Sequence, residues 1–498
     1  MAITASSFAT AVAALGGRLY PESLVGSGAA MVGTVRRDGR KVVALAAARE
    51  ADLPVGLQGT TATAAGMAVR LCPQDHANAV ALRALLPWTA PVSLRHCRTT
   101  VGCGDRLGRA TPGHLRAVRA FEVSPVLAQQ SMRELTLTRR TYEQVVDDVT
   151  FLVLQAGYQG GYGADGDHLK TLKDIGVAVD AGMAMITLDL TEKMNAAAET
   201  WSAADVDAAF NALPEATRRR IMDTYAGQHF EMGASRVEIA ALEARRCAVM
   251  YLAAMDFAGE AYALLRQRRG EAFDLEISID ETQAPTLPSH HLFIIRELLH
   301  RDIAISSLAP RFIGEFQKAI DYIGDLAEFE RQFAQHCAIA KAHGAYKISI
   351  HSGSDKFAVY PTIGRYTDLR VHVKTAGTSW LEAVRAIAAT QPALYRRLHD
   401  HAFTVLPEAL KLYHITPDMS SIPALSRVAD ADLPELMNHD ATRQVLHVTY
   451  GGLLQDPALG PAIMAALDAD EEAYYGTLER HFVRHLKTLG ATPRPAAQ

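Results

Sequence analysis

Cysteine, basic charge and long apolar runs are all scarce in this chain, and each scarcity removes a class of protein. Five cysteines (Cys72, Cys97, Cys103, Cys247 and Cys337) lie scattered through 498 residues with no CxxC pair. That spacing supports neither a disulfide framework nor a thiolate zinc site, and it fits free thiols in a reducing compartment. The 50 lysines and arginines are outnumbered by 55 aspartates and glutamates, for a net charge of −5. No basic field is therefore offered to nucleic acid or to an anionic membrane. No uninterrupted run approaches the roughly 20 apolar residues of a membrane helix. The N-terminus, MAITASSFATAVAALGGRLYPES, lacks the basic start of a secretory signal and is broken by glycine and proline. The expectation is a cytoplasmic protein with neither a nucleic-acid nor a membrane partner.

What is present reads as a globular enzyme of more than one unit. Residues 1–95 form a small α+β region: MVGTVRRDGRKVVALAA reads as two strands joined at Asp38-Gly39, and ANAVALRALLP reads as a helix. It carries no catalytic constellation, which suits a packing or oligomerisation unit and leaves room for a homo-oligomer. From about residue 98 apolar strands alternate with amphipathic helices, the mark of a parallel sheet. Strands are expected near 99–105, 123–131, 163–168, 184–190, 273–280, 304–312, 346–353 and 369–377, the third being glycine-rich and weak. Eight such units within residues 96–378 predict a (β/α)8 TIM-type barrel, interrupted by a helical insertion at about 191–270. Residues 379–498 read as a helical extension, with the final ATPRPAAQ frayed.

Catalytic groups of such barrels gather at the carboxyl ends of the strands. Under the period-two rule, Lys347, Ser349 and His351 share one face of YKISIHSG, and Glu276, Ser278 and Asp280 share one face of DLEISID. Ser307 and Arg311, then His372 and Lys374, pair likewise, while Asp167 and His168 end the third strand. An apolar barrel interior would not carry Glu, Lys, Arg and His at its mouth, on five strand ends, unless they bound something. His168 and His351 are the candidate metal ligands, with His291 in TLPSHHLFI as the third and Glu276 as a further ligand or an acid–base group. Imidazoles with a carboxylate suit Zn, Mn, Fe, Co or Ni better than Mg or Ca. Arg311 can grip a carboxylate in two places, Lys347 and Lys374 add point charges, and Gln130 and Ser131 (with Gln129) can read hydroxyls. The implied substrate is a small anionic sugar.

Seven blocks then carry a specific likeness. GCGDRLGRATPGHLRA, FEVSPVLAQQSMRE, GYGADGDHLK, DLEISIDETQAPTLP, LAPRFIGEFQKAIDYIGDL, YKISIHSGSDKF and HVKTAGTSWLEAV together resemble the tagaturonate/fructuronate epimerase family, as does RQVLHVTYGG near the end. The resemblance implies a divalent-metal-dependent isomerase interconverting D-tagaturonate and D-fructuronate, and by extension D-fructose and D-tagatose. It implies Asp167 as proton acceptor, Glu276 as proton donor, and His168 and His351 as metal ligands. The carbon inverted is β to the ketone, so simple enolisation cannot reach it, and retro-aldol cleavage followed by re-addition is the expected route. The alternative readings are a metal-dependent aldose–ketose isomerase, a class II aldolase, or a sugar-acid binding protein without turnover.

Overall fold

The computed structural model describes residues 3–233 and 235–495. Its centre is a closed barrel of eight parallel strands: β1 (Thr99–Gly102), β2 (Ser124–Ser131), β3 (Gly163–Leu169), β4 (Met185–Asp189), β5 (Asp274–Ile279), β6 (Ser307–Pro310), β7 (Lys347–Ile350) and β8 (Val371–Lys374). Each strand pairs with its sequence neighbours, and β8 closes onto β1 from Val371 opposite Thr99 to Lys374 opposite Gly102. The (β/α)8 barrel expected from the strand–helix alternation is therefore the fold. Nearly every strand residue is buried, because one face fills the barrel and the other lies under the helix ring. The weak third strand has a packing reason: a Cβ on Gly166 would come within 3.0 Å of Ala178 and Leu169.

The amino-terminal residues form a six-stranded antiparallel sheet. Its main hairpin joins Ala30–Arg37 to Arg40–Ala47 through Asp38 (φ 48°) and Gly39 (φ 75°), the two positive-φ positions a tight hairpin requires. One face of this sheet, including Val32 and Leu45, packs on Phe151 and Leu154 of the barrel helix Tyr142–Gln155. Between β4 and β5 the insertion is not purely helical: Gln228–Met232 and Ser235–Ile239 form a two-stranded hairpin. The following helix, Ala241–Arg269, is long and apolar enough to cross a membrane by length and average composition, although Asp256 and Glu260 interrupt its apolar run. Half of its apolar window is buried inside the protein, as a core helix requires.

The carboxyl-terminal helices close over the mouth of the barrel. Asp355, in the loop after β7, binds Arg443 Nη2 at 2.5 Å and His481 Nε2 at 2.8 Å, while its backbone N–H donates to His485 Nε2 at 2.9 Å. The chain end is not frayed where it is described. Glu122 N–H donates to Thr492 O, Arg494 N–H donates to Ala120 O, and Pro493 pairs with Phe121. Residues 496–498 of the expected fray lie outside the described residues.

Buried histidines are expected to make the fold acid-sensitive, His114 and His336 among them. His114, packed edge-on against Phe482, has no hydrogen-bond partner on either nitrogen, and burial draws it down to about 4; burial does the same to His336. In the unfolded chain both protonate near about 6.5. The unfolded state therefore binds more protons between these values, and stability falls as pH drops from about 6.5 toward 4. Melting temperatures at pH 7 and pH 5 are expected to differ less in His114→Leu than in the parent. An unchanged difference would show that His114 is not one of the responsible groups.

Candidate active site

A cavity of about 810 Å³ opens at the carboxyl ends of the strands, a size that suits a small-molecule site. Its floor is organised by Lys374, the last residue of β8. The ammonium lies 2.6 Å from Asp167 Oδ1, 2.9 Å from Glu276 Oε1 and 3.0 Å from Asp165 Oδ2, and it donates to Thr187 Oγ1 at 2.5 Å. Burial opposes that charge, but the three carboxylates outweigh it and hold the ammonium well above the usual lysine range. Burial pushes Asp165 up to about 6 despite Lys374. Burial also opposes the charges of Asp167 and Glu276, yet Lys374 holds both below their ordinary values.

Beside this floor stand two imidazoles. The His168 and His351 rings are 4.9 Å apart by their centroids and meet edge to face. Asp167 and His168 are sequential, so a regular strand would send them to opposite faces. The strand is not regular there. His168 has φ 54°, and the pairing of β3 with β4 slips between Ile186 and Leu188, so both side chains line the cavity. His351 Nε2 is 2.7 Å from Glu276 Oε1, and its Nδ1 is 3.0 Å from Asp280 Oδ1 without hydrogen-bond geometry. His168 Nδ1 faces Asp189 Oδ2 at 3.5 Å. For both histidines burial opposes protonation, but the nearby carboxylates raise them, His168 to about 10. Burial likewise opposes ionisation of Asp280, which His351 and His168 nevertheless hold well below the carboxylate range.

The residues fit a divalent cation. His168, Asp280 and His351 each offer one ligand atom, and these atoms all lie within 4.8 Å of one another. Each imidazole has a carboxylate behind it, Asp189 for His168 and Glu276 for His351, the arrangement that orients metal-binding histidines. Carboxylates outnumber lysines around the cup, so added positive charge is favoured. Two imidazoles with one carboxylate suit Zn, Mn, Fe, Co or Ni.

The structure brings together Asp167, His168, His351 and Lys374, with Glu276 directly beneath. It does not bring His291 there. That residue sits on the helix Pro288–His300, fully buried, with Nδ1 2.9 Å from His336 Nδ1 and Nε2 2.6 Å from the Tyr346 hydroxyl. Asp280, of the inward-facing set of DLEISID, stands beside the two imidazoles instead. Lys347 has the expected inward parity but lies at the opposite end of the barrel, where Nζ donates to Leu94 O and Cys97 O. Gln130 is buried without lining the cavity, because it alternates with Gln129, which points inward to Asp165 at 3.4 Å. Ser131 lines the cavity and caps the helix Met132–Thr138 through Glu134 N. Arg311 lines it too, with its guanidinium donating to Thr282 O. Glu276 is fully buried and does not line the cavity, because His351, Lys374, Thr187 and Ser307 take up its oxygens.

Comparison with known proteins places this geometry among relatives. A family model described as tagaturonate epimerase matches residues 20–489. A tagaturonate/fructuronate epimerase of Thermotoga maritima is 39% identical over 426 residues, covering 86% of this chain and 88% of that protein. The native crystal structure of the fructuronate-tagaturonate epimerase of Cohnella laeviribosi is similar with a TM-score of 0.92 at 43% identity, covering 98% and 99% of the two chains. A glycerol complex of the same enzyme matches at 42% identity with the same TM-score.

The two candidates for third ligand are separable by experiment. Asp280→Ala is expected to weaken Zn or Mn binding by at least about 100-fold, whereas His291→Gln leaves the affinity of the folded protein unchanged. Calorimetric titration of metal-stripped protein reads both. Equal affinity in Asp280→Ala and the parent would remove Asp280 from the ligand set.

Proposed function

This chain belongs to the tagaturonate epimerase family, and we propose on that premise that it interconverts D-tagaturonate and D-fructuronate by metal-assisted cleavage and re-formation of one carbon–carbon bond. The observation that carries the chemistry is the meeting of an ionised Asp167 with the His168–Asp280–His351 cup at the floor of one cavity. A divalent cation held by those three residues would supply Lewis acidity to the ketone and its neighbouring hydroxyl and offset the negative charge that cleavage leaves behind.

The chain's own residues account for the proton movements. Lys374 keeps Asp167 ionised, the form that can take the proton of the C4 hydroxyl. As that proton leaves, the C4–O bond becomes the aldehyde carbonyl and the C3–C4 bond breaks, its electron pair staying with the ketone half. The aldehyde turns about C4–C5, C3 attacks its other face, and the new C4 oxygen recovers one proton. Glu276 is held ionised below the cavity floor, so its part in returning the proton is indirect: the proton reaches the new C4 oxygen from Lys374 or His351, both of which touch it. Asp189 holds the His168 ring in place, and Glu276 holds that of His351.

The reading extends to the neutral pair D-fructose and D-tagatose, which share the reacting carbons. All five cysteines are free, which supports a reducing, cytoplasmic setting. An aldolase would release two fragments, and an aldose–ketose isomerase would form an aldose.

Incubation of D-tagaturonate with the metal-loaded protein is expected to give D-fructuronate, with loss of turnover in EDTA and return on adding metal. Asp167→Asn is expected to lower kcat by about 100- to 10,000-fold with the fold intact. In heavy water no deuterium should enter C4, because its hydrogen never leaves carbon. Deuterium at C4, or a free three-carbon aldehyde as the main product, would sink the proposal.

A further inference from the structure

Above the cup, the cavity wall carries a basic group that the proton chemistry does not use. Arg106 is 4% exposed, and its Nε and Nη2 both lie 2.9 Å from Glu134 Oε1. Its guanidinium stands over the Tyr450 ring, 3.8 Å from the centroid, and its buried Nη1 has no partner. His447 is 2% exposed with a buried, unpartnered Nδ1. It is pressed against Gly377, where any Cβ would overlap Nε2. Lys318 is half-buried and donates to Ser352 Oγ at 2.7 Å, and among the described residues no carboxylate lies within ion-pair distance of it. All three residues line the cavity. They share that one cavity with His168, Asp280 and His351 of the cup.

We propose that Arg106, Lys318 and His447 form the seat of the substrate's carboxylate, turning its uronate end to this wall and its ketone end to the cup. The proposal rests on the epimerase reading and adds the basis of its preference for an acid over a neutral sugar. Buried donors are normally satisfied, and a carboxylate offers two oxygens with about four acceptor sites, enough for Nη1, Nζ and Nδ1 together. Glu134 does not compete for these atoms, because it engages the other edge of Arg106 and the Ser131 N–H. The residues expected to hold the carboxylate are engaged elsewhere: Lys374 by three carboxylates, Lys347 at the far end of the barrel, and Arg311 by Thr282 O. In the proposed cleavage the carboxylate belongs to the aldehyde half. A seat that holds it leaves rotation about C4–C5 free while keeping that half bound.

Calorimetry with metal-loaded protein, using D-tagaturonate and D-tagatose as the charged and neutral probes, tests the seat. The parent is expected to bind the uronate at least about tenfold more tightly than the neutral ketose, as a charge-assisted contact requires. Lys318→Met and Arg106→Gln should bring that ratio close to one, and Lys318→Arg should retain it. Circular dichroism melting confirms that each variant is folded, and Lys318→Met, at a half-buried position, serves if Arg106→Gln is not. Equal binding of the two probes by the parent, as when the three donors hold only water, would overturn the seat. So would an undiminished ratio in Lys318→Met. Turnover is scored in parallel: preferential uronate binding without fructuronate formation refutes the epimerase reading and leaves the seat standing. Epimerisation with an undiminished ratio in Lys318→Met does the reverse.

Discussion

The ammonium of Lys374 is the contact on which the rest of the site depends. Asp165, Glu276 and Thr187 are fully buried, and Asp167 nearly so. A carboxylate taken out of water without a partner costs several kcal/mol, on the order that would neutralise it instead. One lysine reaching all three acids is what allows at least two to stay ionised at neutral pH. The arrangement is not self-sufficient, since one positive charge faces three acids and Asp189 and Asp280 stand nearby. The raised histidines are the same imbalance seen from the other side. A cup that draws protons onto its imidazoles is electrostatically a cup for a cation.

Holding these groups still requires parts of the chain far from the barrel strands. Ser352 and Asp355, just after His351, both have positive φ, a conformation that a loop of non-glycine residues keeps only under constraint. The constraint comes from Arg443 and His481, which grip Asp355 from the carboxyl-terminal helices. The extension therefore fixes the loop that follows His351 and also supplies His447 to the cavity wall. A barrel cut off after β8 would lose both.

Much of this was legible from residue order alone, and the failures have identifiable causes. The eight strands were readable because parallel strands are short apolar runs with polar residues at their carboxyl ends. Asp167, His168, His351 and Lys374 were found by that rule. The same rule gives parity but not depth. Lys347 shares a face with His351 yet sits four residues earlier, about 13 Å down the strand, which places it at the other end of the barrel. Gln130 failed on parity itself, since it and Gln129 cannot both face inward. His291 as third ligand rests on its place in the TLPSHHLFI segment, which forms a helix, where strand parity has no meaning. Asp280 was in view but unassigned, because nothing in a sequence shows that the end of β5 approaches the end of β3. Arg106 and His447 lie inside the blocks that carry the family likeness, but strand parity says nothing of either, one lying in a loop and the other on a helix of the extension. Their role depends on an orphaned nitrogen, which only packing reveals.

The division of charge in the cavity bears on why the chemistry would need so large a site. Inverting a centre by breaking and remaking a bond demands that two fragments stay bound while one of them turns. A single tight pocket complementary to the intact sugar would resist that turn. Two separated anchors would not: a cation cup for the ketone half and a basic wall for the acid half would fix the outer ends and leave the middle free. Asp167, the proposed proton acceptor, stands on the floor beside the cup, where the reacting hydroxyl would lie between the anchors. Affinity is thereby concentrated on the atoms that do not move, which is the condition for retaining both halves without freezing the bond that must rotate.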